Sequence, residues 1–121
     1  MATRKSQDAI EVNKMNTQLK KWEADADKLY ESIGEKVFRD PAIEQPETRN
    51  HINAQVHALQ HLHRQMNDLK IKILLLKDLI ECDSCGKVHA VTIKFCPDCG
   101  NNIADLVKRT MKNMAIEDQK E

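Results

Sequence analysis

The residues best placed to do chemistry lie in CDSCGKVHAVTIKFCPDCG, positions 82–100, which hold all four cysteines of a 121-residue chain. They fall as Cys82-x2-Cys85 and Cys96-x2-Cys99, with ten residues between the pairs and a glycine, Gly86 or Gly100, directly after each. Two intervening residues let one tight turn direct both sulfurs at one ion, and the glycine permits the positive φ that such a turn needs. Two of these turns facing each other make a tetrahedral four-sulfur site, a donor set that suits zinc. Four thiolates leave no position for water, so the implied ion is structural and not hydrolytic. We therefore expect one structural Zn2+ per chain, held by Cys82, Cys85, Cys96 and Cys99. Between the pairs VHAVTIKF alternates as a short hairpin would.

Other uses of the thiols fit less well. Disulfides suit a secreted chain, whereas MATRKSQDAIEV at the N-terminus has no apolar signal-like core. A thioredoxin-type redox pair belongs in a βαβ setting that the pattern does not supply. Iron on the same sulfurs would make an electron carrier, and CPDCG resembles the rubredoxin-like tail that follows the helices of rubrerythrins. A di-iron bundle, however, needs inward carboxylates with Glu-x-x-His spacing. No seam position is acidic here, Glu47 and His51 stand four apart, and the tail has little of the aromatic content expected around a rubredoxin iron. A zinc hook would place one C-x-x-C at an apex between two helices, whereas both pairs here follow the second helix. His89, in the segment between the pairs, is expected to be a plain exposed loop residue, with a fifth ligand or a hydrogen bond to a sulfur as the alternatives.

The elements that must position this module are helical. Val12, Met15, Leu19, Trp22, Ala26, Leu29 and Ile33 follow a 3-4-3-4-3-4 spacing, the seam of a coiled coil. In a second segment Ile52, Leu59, Met66, Ile73 and Ile80 stand seven apart, with Leu62, Leu69 and Leu76 in the companion positions; Gln55 interrupts the seam and Val56 partly replaces it. Pro41 and Pro46 between the segments end one helix and pre-set the next. Similar lengths, each about 50 Å at 1.5 Å per residue, predict an antiparallel hairpin. Such a hairpin buries little surface, so dimerisation into a four-helix bundle or docking on a partner is expected.

From Ile71 to Ile80 seven of ten residues are apolar, and no glycine, proline or serine separates Ile80 from Cys82. A helix running unbroken into the first cysteine would hold the metal module at a fixed angle. Leu74, Leu75 and Leu79 fall off the seam, to be covered by the C-terminal segment or to meet a partner. After the second pair, Asn102 is a helix N-cap with Asp105 in the first turn. Ile103, Leu106, Val107, Met111 and Met114 then form one face of a short amphipathic helix that should dock on the module, and the last few residues should fray. The expected fold is thus mainly α: a helical hairpin or coiled coil over 1–81, a four-cysteine zinc ribbon over 82–103, and an amphipathic helix and tail over 104–121. His57 and His61, one helical turn apart, and the neighbouring His63 are read as a solvated face, and Trp22 as core.

Residues 82–103, with C-x2-C-G…F-C-P-x-C-G-x-x-I, resemble the small zinc-ribbon domains of bacteria and archaea. The whole chain is similar to short Gram-positive bacterial proteins that set a two-helix segment before such a ribbon, KLYESIGEKVF included. That resemblance implies a structural zinc on the four cysteines and no chemistry. The C-terminal helix extends beyond the shortest of those proteins.

Charge narrows the function. Lysine plus arginine and aspartate plus glutamate number 19 each, and the balance holds within every segment, so no basic tail or face stands out for nucleic acid or anionic membranes. No stretch approaches the ~20 apolar residues of a membrane span. No activated serine, inward carboxylate pair or phosphate-cradling glycine loop is present. We expect a cytoplasmic, non-enzymatic interaction protein, an adaptor, assembly factor or small subunit, with a protein partner, self-association through the helices, or both. No membrane or small-molecule substrate is expected. The rival is a nucleic-acid-associated ribbon accessory to transcription or translation, with Lys87, His89 and Lys94 as a basic face.

Overall fold

The heptad segments fold as two long helices packed together. The computed structural model describes residues 2–119, with side-chain surroundings over 7–114, so the expected fraying of the last residues lies outside the described side chains. The elements are α1 (Ala2–Arg39), α2 (Pro46–Leu76), β1 (Leu79–Glu81), β2 (Val88–Ala90) and α3 (Ile103–Gln119). The chain divides into two compact units, Met1–Lys70 and Ile71–Glu121.

In the first unit α1 stops where Pro41 forbids its continuation. Asp40 organises the loop: its carboxylate accepts the backbone N–H groups of Glu44 and Gln45, each at 3.3 Å. Ile43 takes a positive φ of 51°, unusual for a β-branched residue, and its carbonyl accepts a hydrogen bond from Arg49. Pro46 is the first residue of α2, where its missing N–H costs nothing. Ser32 meets Gln55 and Tyr30 meets His63, so moving back along α1 advances along α2 and the helices are antiparallel. Ala26, Leu59, Leu62 and Met66 are buried between them, flanked by Leu19, Trp22 and Leu29. All seven α1 seam residues are buried or half-buried. The helices are less equal than expected, 38 and 31 residues, because α2 ends early.

Gln55 keeps its place on the seam, and Val56 does not replace it: Val56 is exposed while Gln55 is half-buried. Ser32 Oγ binds Gln55 Nε2 at 2.6 Å and Lys36 Nζ at 2.7 Å, leaving Gln55 Oε1 buried without a partner. An orphaned buried acceptor is destabilising. Gln55→Leu is therefore expected to stabilise the hairpin by about 1 kcal/mol, read as a higher thermal midpoint; a lower midpoint would mean that the amide bond outweighs the orphan.

In the second unit the expectation of an unbroken helix fails. The last turn of α2 tightens, Lys77 N–H donating to Leu74 and Asp78 N–H to Leu75, both at 3.0 Å. Asp78 enters the left-handed region at φ 59°, a conformation aspartate tolerates better than most residues. The carbonyl of Asp78 then accepts Val91 N–H at 3.1 Å. The chain leaves this turn as β1, so Ile80 is a strand residue and not the last seam position of a helix reaching 81. β1 pairs antiparallel with β2 in the register Leu79–Ala90, Ile80–His89 and Glu81–Val88. The expected hairpin within VHAVTIKF is corrected accordingly: only Val88–Ala90 is strand, and its partner precedes the first cysteine pair.

Ile80, Cys82, Cys96, Ile103 and Leu106 form the core of this unit, with Val91, Ile93 and Val107 packed around it. α3 begins as expected. Asn102 Oδ1 accepts Asp105 N–H at 2.9 Å, and the Lys94 carbonyl accepts the amides of Ile103 and Ala104 at 2.8 and 3.2 Å. Three of the four free donors of the helix start are thereby satisfied. Met111, expected on the packed face, is instead 50% exposed, while Ile103, Leu106 and Val107 pack on the core. Leu74, Leu75 and Leu79 are half-buried and none is an open surface residue. No described helix is long and apolar enough to cross a membrane.

Candidate metal centre

The two cysteine pairs sit at the ends of two turns built alike. In the first, Cys82 N–H donates to the Lys87 carbonyl at 2.8 Å and Gly86 N–H to the Cys82 carbonyl at 2.9 Å. In the second, Cys96 N–H donates to Asn101 and Gly100 N–H to Cys96, both at 2.8 Å. Gly86 and Gly100 have φ of 77° and 79°, the left-handed backbone that closes each turn. β1 and β2 frame the first turn; a single bridge between Phe95 and Asn102 frames the second. The leading cysteine of each pair is buried and the trailing one exposed.

This construction brings together all four cysteines anticipated from spacing: their sulfurs lie within 4.8 Å of one another and could hold a metal ion. Two close approaches run between the turns, Cys82–Cys99 and Cys85–Cys96, each at 3.6 Å. A disulfide requires ~2.0 Å, so these are thiols. Tetrahedral geometry with sulfur bonds of ~2.3 Å sets sulfur–sulfur edges of about 3.8 Å, close to what the chain provides.

The thiols are not equivalent. Cys82 is lowered to about 6, chiefly by the Cys85 amide, with help from the Ser84 amide and the Asn101 side chain, against burial. Cys99 is pushed up to about 12: the Asn101 amide favours its thiolate, but burial and hydrogen bonds among the clustered thiols outweigh it. Cys85 is raised for the same reasons, despite the Lys87 amide. A depressed acid stabilises the folded state above its unfolded pKa and loses that contribution as pH falls through about 6, whereas Cys99 contributes below its ordinary value and loses it towards about 12. A metal ion must displace the protons that remain.

Around the sulfurs lies a polar shell that spacing alone did not reveal. Asn101 Nδ2 approaches Cys82 Sγ at 3.6 Å and bonds Asp83 Oδ1. Arg109 on α3 binds Asp105 at 2.9 Å and reaches towards Asp83 at 3.9 Å. His89 is not the exposed loop residue expected. It sits on β2, its side chain 18% exposed, with Nε2 3.4 Å from Cys96 Sγ and 3.3 Å from Asp98 Oδ2. Lys87 Nζ holds the other oxygen of Asp98 at 3.2 Å, which raises the lysine's pKa. The available signal was Lys87 and His89 standing two apart, with a carboxylate inside CPDCG to receive them. His57, His61 and His63 are exposed as anticipated, and His63 Nε2 lies 2.6 Å from Tyr30 Oη. Among the described residues, the groups able to hold an ion are the four cysteines and the cluster His89, Cys96 and Asp98.

No family model, curated protein or solved structure matches this chain.

Proposed function

We propose that this chain is a non-enzymatic, cytoplasmic zinc-binding interaction protein, in which a coiled-coil hairpin carries a four-cysteine zinc ribbon and a short helix for a protein partner. It would serve as an adaptor, assembly factor or small subunit, with self-association through the hairpin. The observation that carries the reading is the four-sulfur cluster: two matching turns bring four thiols within 4.8 Å, with 3.6 Å cross-turn spacing, a donor set that would fill a tetrahedral ion. Such an ion scaffolds and does not turn over substrate, so the function falls to the surfaces it holds in place. The half-burial of most of the α1 seam supports a second copy or partner completing the bundle.

The nucleic-acid reading loses support, because Lys87 and His89 both lie on Asp98 and do not form an open basic face with Lys94. As isolated, the protein should be colourless with one tightly held zinc per chain, and should show no salt-sensitive binding to DNA or RNA. A red, iron-containing product would favour electron transfer. Nucleic-acid binding that weakens with salt and is lost in Lys87→Glu/Lys94→Glu would favour the rival. Purification from the native host against a Cys82→Ser/Cys85→Ser control identifies the partner that needs the folded ribbon.

A further inference from the structure

We infer that His89 Nε2, Cys96 Sγ and Asp98 Oδ2 form a second, weaker divalent-metal site that shares the Cys96 thiolate with the four-cysteine centre. This rests on the four-cysteine reading through that one sulfur. The three donor atoms lie within 4.8 Å of one another, and none of them needs a new backbone conformation to meet. β-Pairing places His89 opposite Ile80, and the second cysteine turn carries Asp98 between Pro97 and Cys99.

The spacing suits an ion better than it suits hydrogen bonding alone. Nε2 faces two acceptors, Cys96 Sγ at 3.4 Å and Asp98 Oδ2 at 3.3 Å, but carries at most one proton to give. As ligands, all three atoms are close enough to share one ion. Tetrahedral zinc or cobalt, with bonds of ~2.0 Å to nitrogen and oxygen and ~2.3 Å to sulfur, has a nitrogen–sulfur edge of about 3.5 Å and a nitrogen–oxygen edge of about 3.3 Å. The mixed imidazole, thiolate and carboxylate set is a borderline one that these ions accept.

Charge favours it too. A divalent ion on four thiolates leaves two net negative charges, and Lys87 cancels the Asp98 carboxylate from its far oxygen, 3.2 Å away. A second divalent cation brings the cluster to neutrality. Asp98 is exposed, so the fourth position opens to water. Three protein ligands with an open position make an exchangeable site, weaker than the closed tetrad beside it.

The test uses the full chain loaded with one equivalent of zinc and titrated with Co2+, followed by native mass spectrometry and visible absorption. We expect a second metal per chain. His89→Ala and Asp98→Asn should each weaken that second equivalent about tenfold or more while the first is retained, which reports that the fold is intact. Lys87→Met, which removes the competing cation, should tighten it. A chain that stops at one metal in excess cobalt overturns the inference, and so does a second equivalent that survives both substitutions, as cobalt on the exposed His57 and His61 would. Loss of the first equivalent in His89→Ala, with the second unchanged, makes His89 a hydrogen-bond partner only. Failure of the unsubstituted chain to hold even one metal tightly refutes the four-cysteine reading itself.

Discussion

Cys82→Ser is expected to abolish tight metal binding and to melt the second unit, removing the α3 contribution to the far-ultraviolet circular dichroism while the α1–α2 signal persists. Cys82 is 1% exposed and belongs at once to the sulfur cluster and to the apolar core with Ile80, Cys96, Ile103 and Leu106. Little else holds that unit: its sheet is two three-residue strands, and α3 has 17 residues, marginal for a helix in isolation. A structural zinc contributes roughly 10–16 kcal/mol of apparent binding free energy in small modules, far beyond what so small a core supplies alone. Removing the metal with a chelator should give the same spectral loss as the substitution, and re-addition should reverse it. A metal-free chain that keeps full helicity and a single cooperative melt would show that apolar packing suffices and that the ion is incidental.

The second large effect is expected at Ile103. Its side chain is 0% exposed, at the first residue of α3, against both leading cysteines. Ile103→Ala leaves a cavity in the core beside Cys82 and Cys96, and such truncations cost about 2–5 kcal/mol. If folding and metal binding are coupled, as the four-cysteine proposal implies, part of that cost should appear as weaker affinity, about tenfold for each 1.4 kcal/mol transmitted. Competition with a chelating dye measures it. Unchanged affinity beside a lowered thermal midpoint would uncouple α3 from the centre. Met111→Ala, at a half-exposed position on α3, is the control and should alter neither.

Much of the centre was legible before any coordinates. The C-x2-C-G spacing repeats because a short turn with a left-handed glycine is the local solution for aiming two sulfurs at one point, and local solutions are written in short stretches of sequence. The heptad seam was legible for a similar reason, since period alone marks the faces that meet. The end of α2 was not. Ile73 and Ile80 stand seven apart in sequence, yet Ile73 is helical and Ile80 lies in a strand, so an apolar residue buried for two different reasons kept the period going. The stop depends on Asp78 taking a left-handed backbone without a glycine to announce it, and on Val91 bonding its carbonyl. His89 escaped similarly. A lone histidine between two cysteine pairs carries no mark of its depth until strand pairing sets it beside Cys96 and Asp98.

By itself, then, the amino-acid order determined which cysteines cluster, which faces of the long helices are apolar, and where α3 begins. Each of these depends on neighbours within a turn or two, where backbone stereochemistry leaves few choices. Tertiary structure alone decided that the helix breaks at Leu76 and that β1 comes from the residues before the first cysteine pair. It also decided that Ile103 seals the core and that a histidine and a carboxylate stand against one sulfur. Those outcomes depend on pairings between distant segments, whose free energy exists only once the four sulfurs and the apolar core have drawn the turns together.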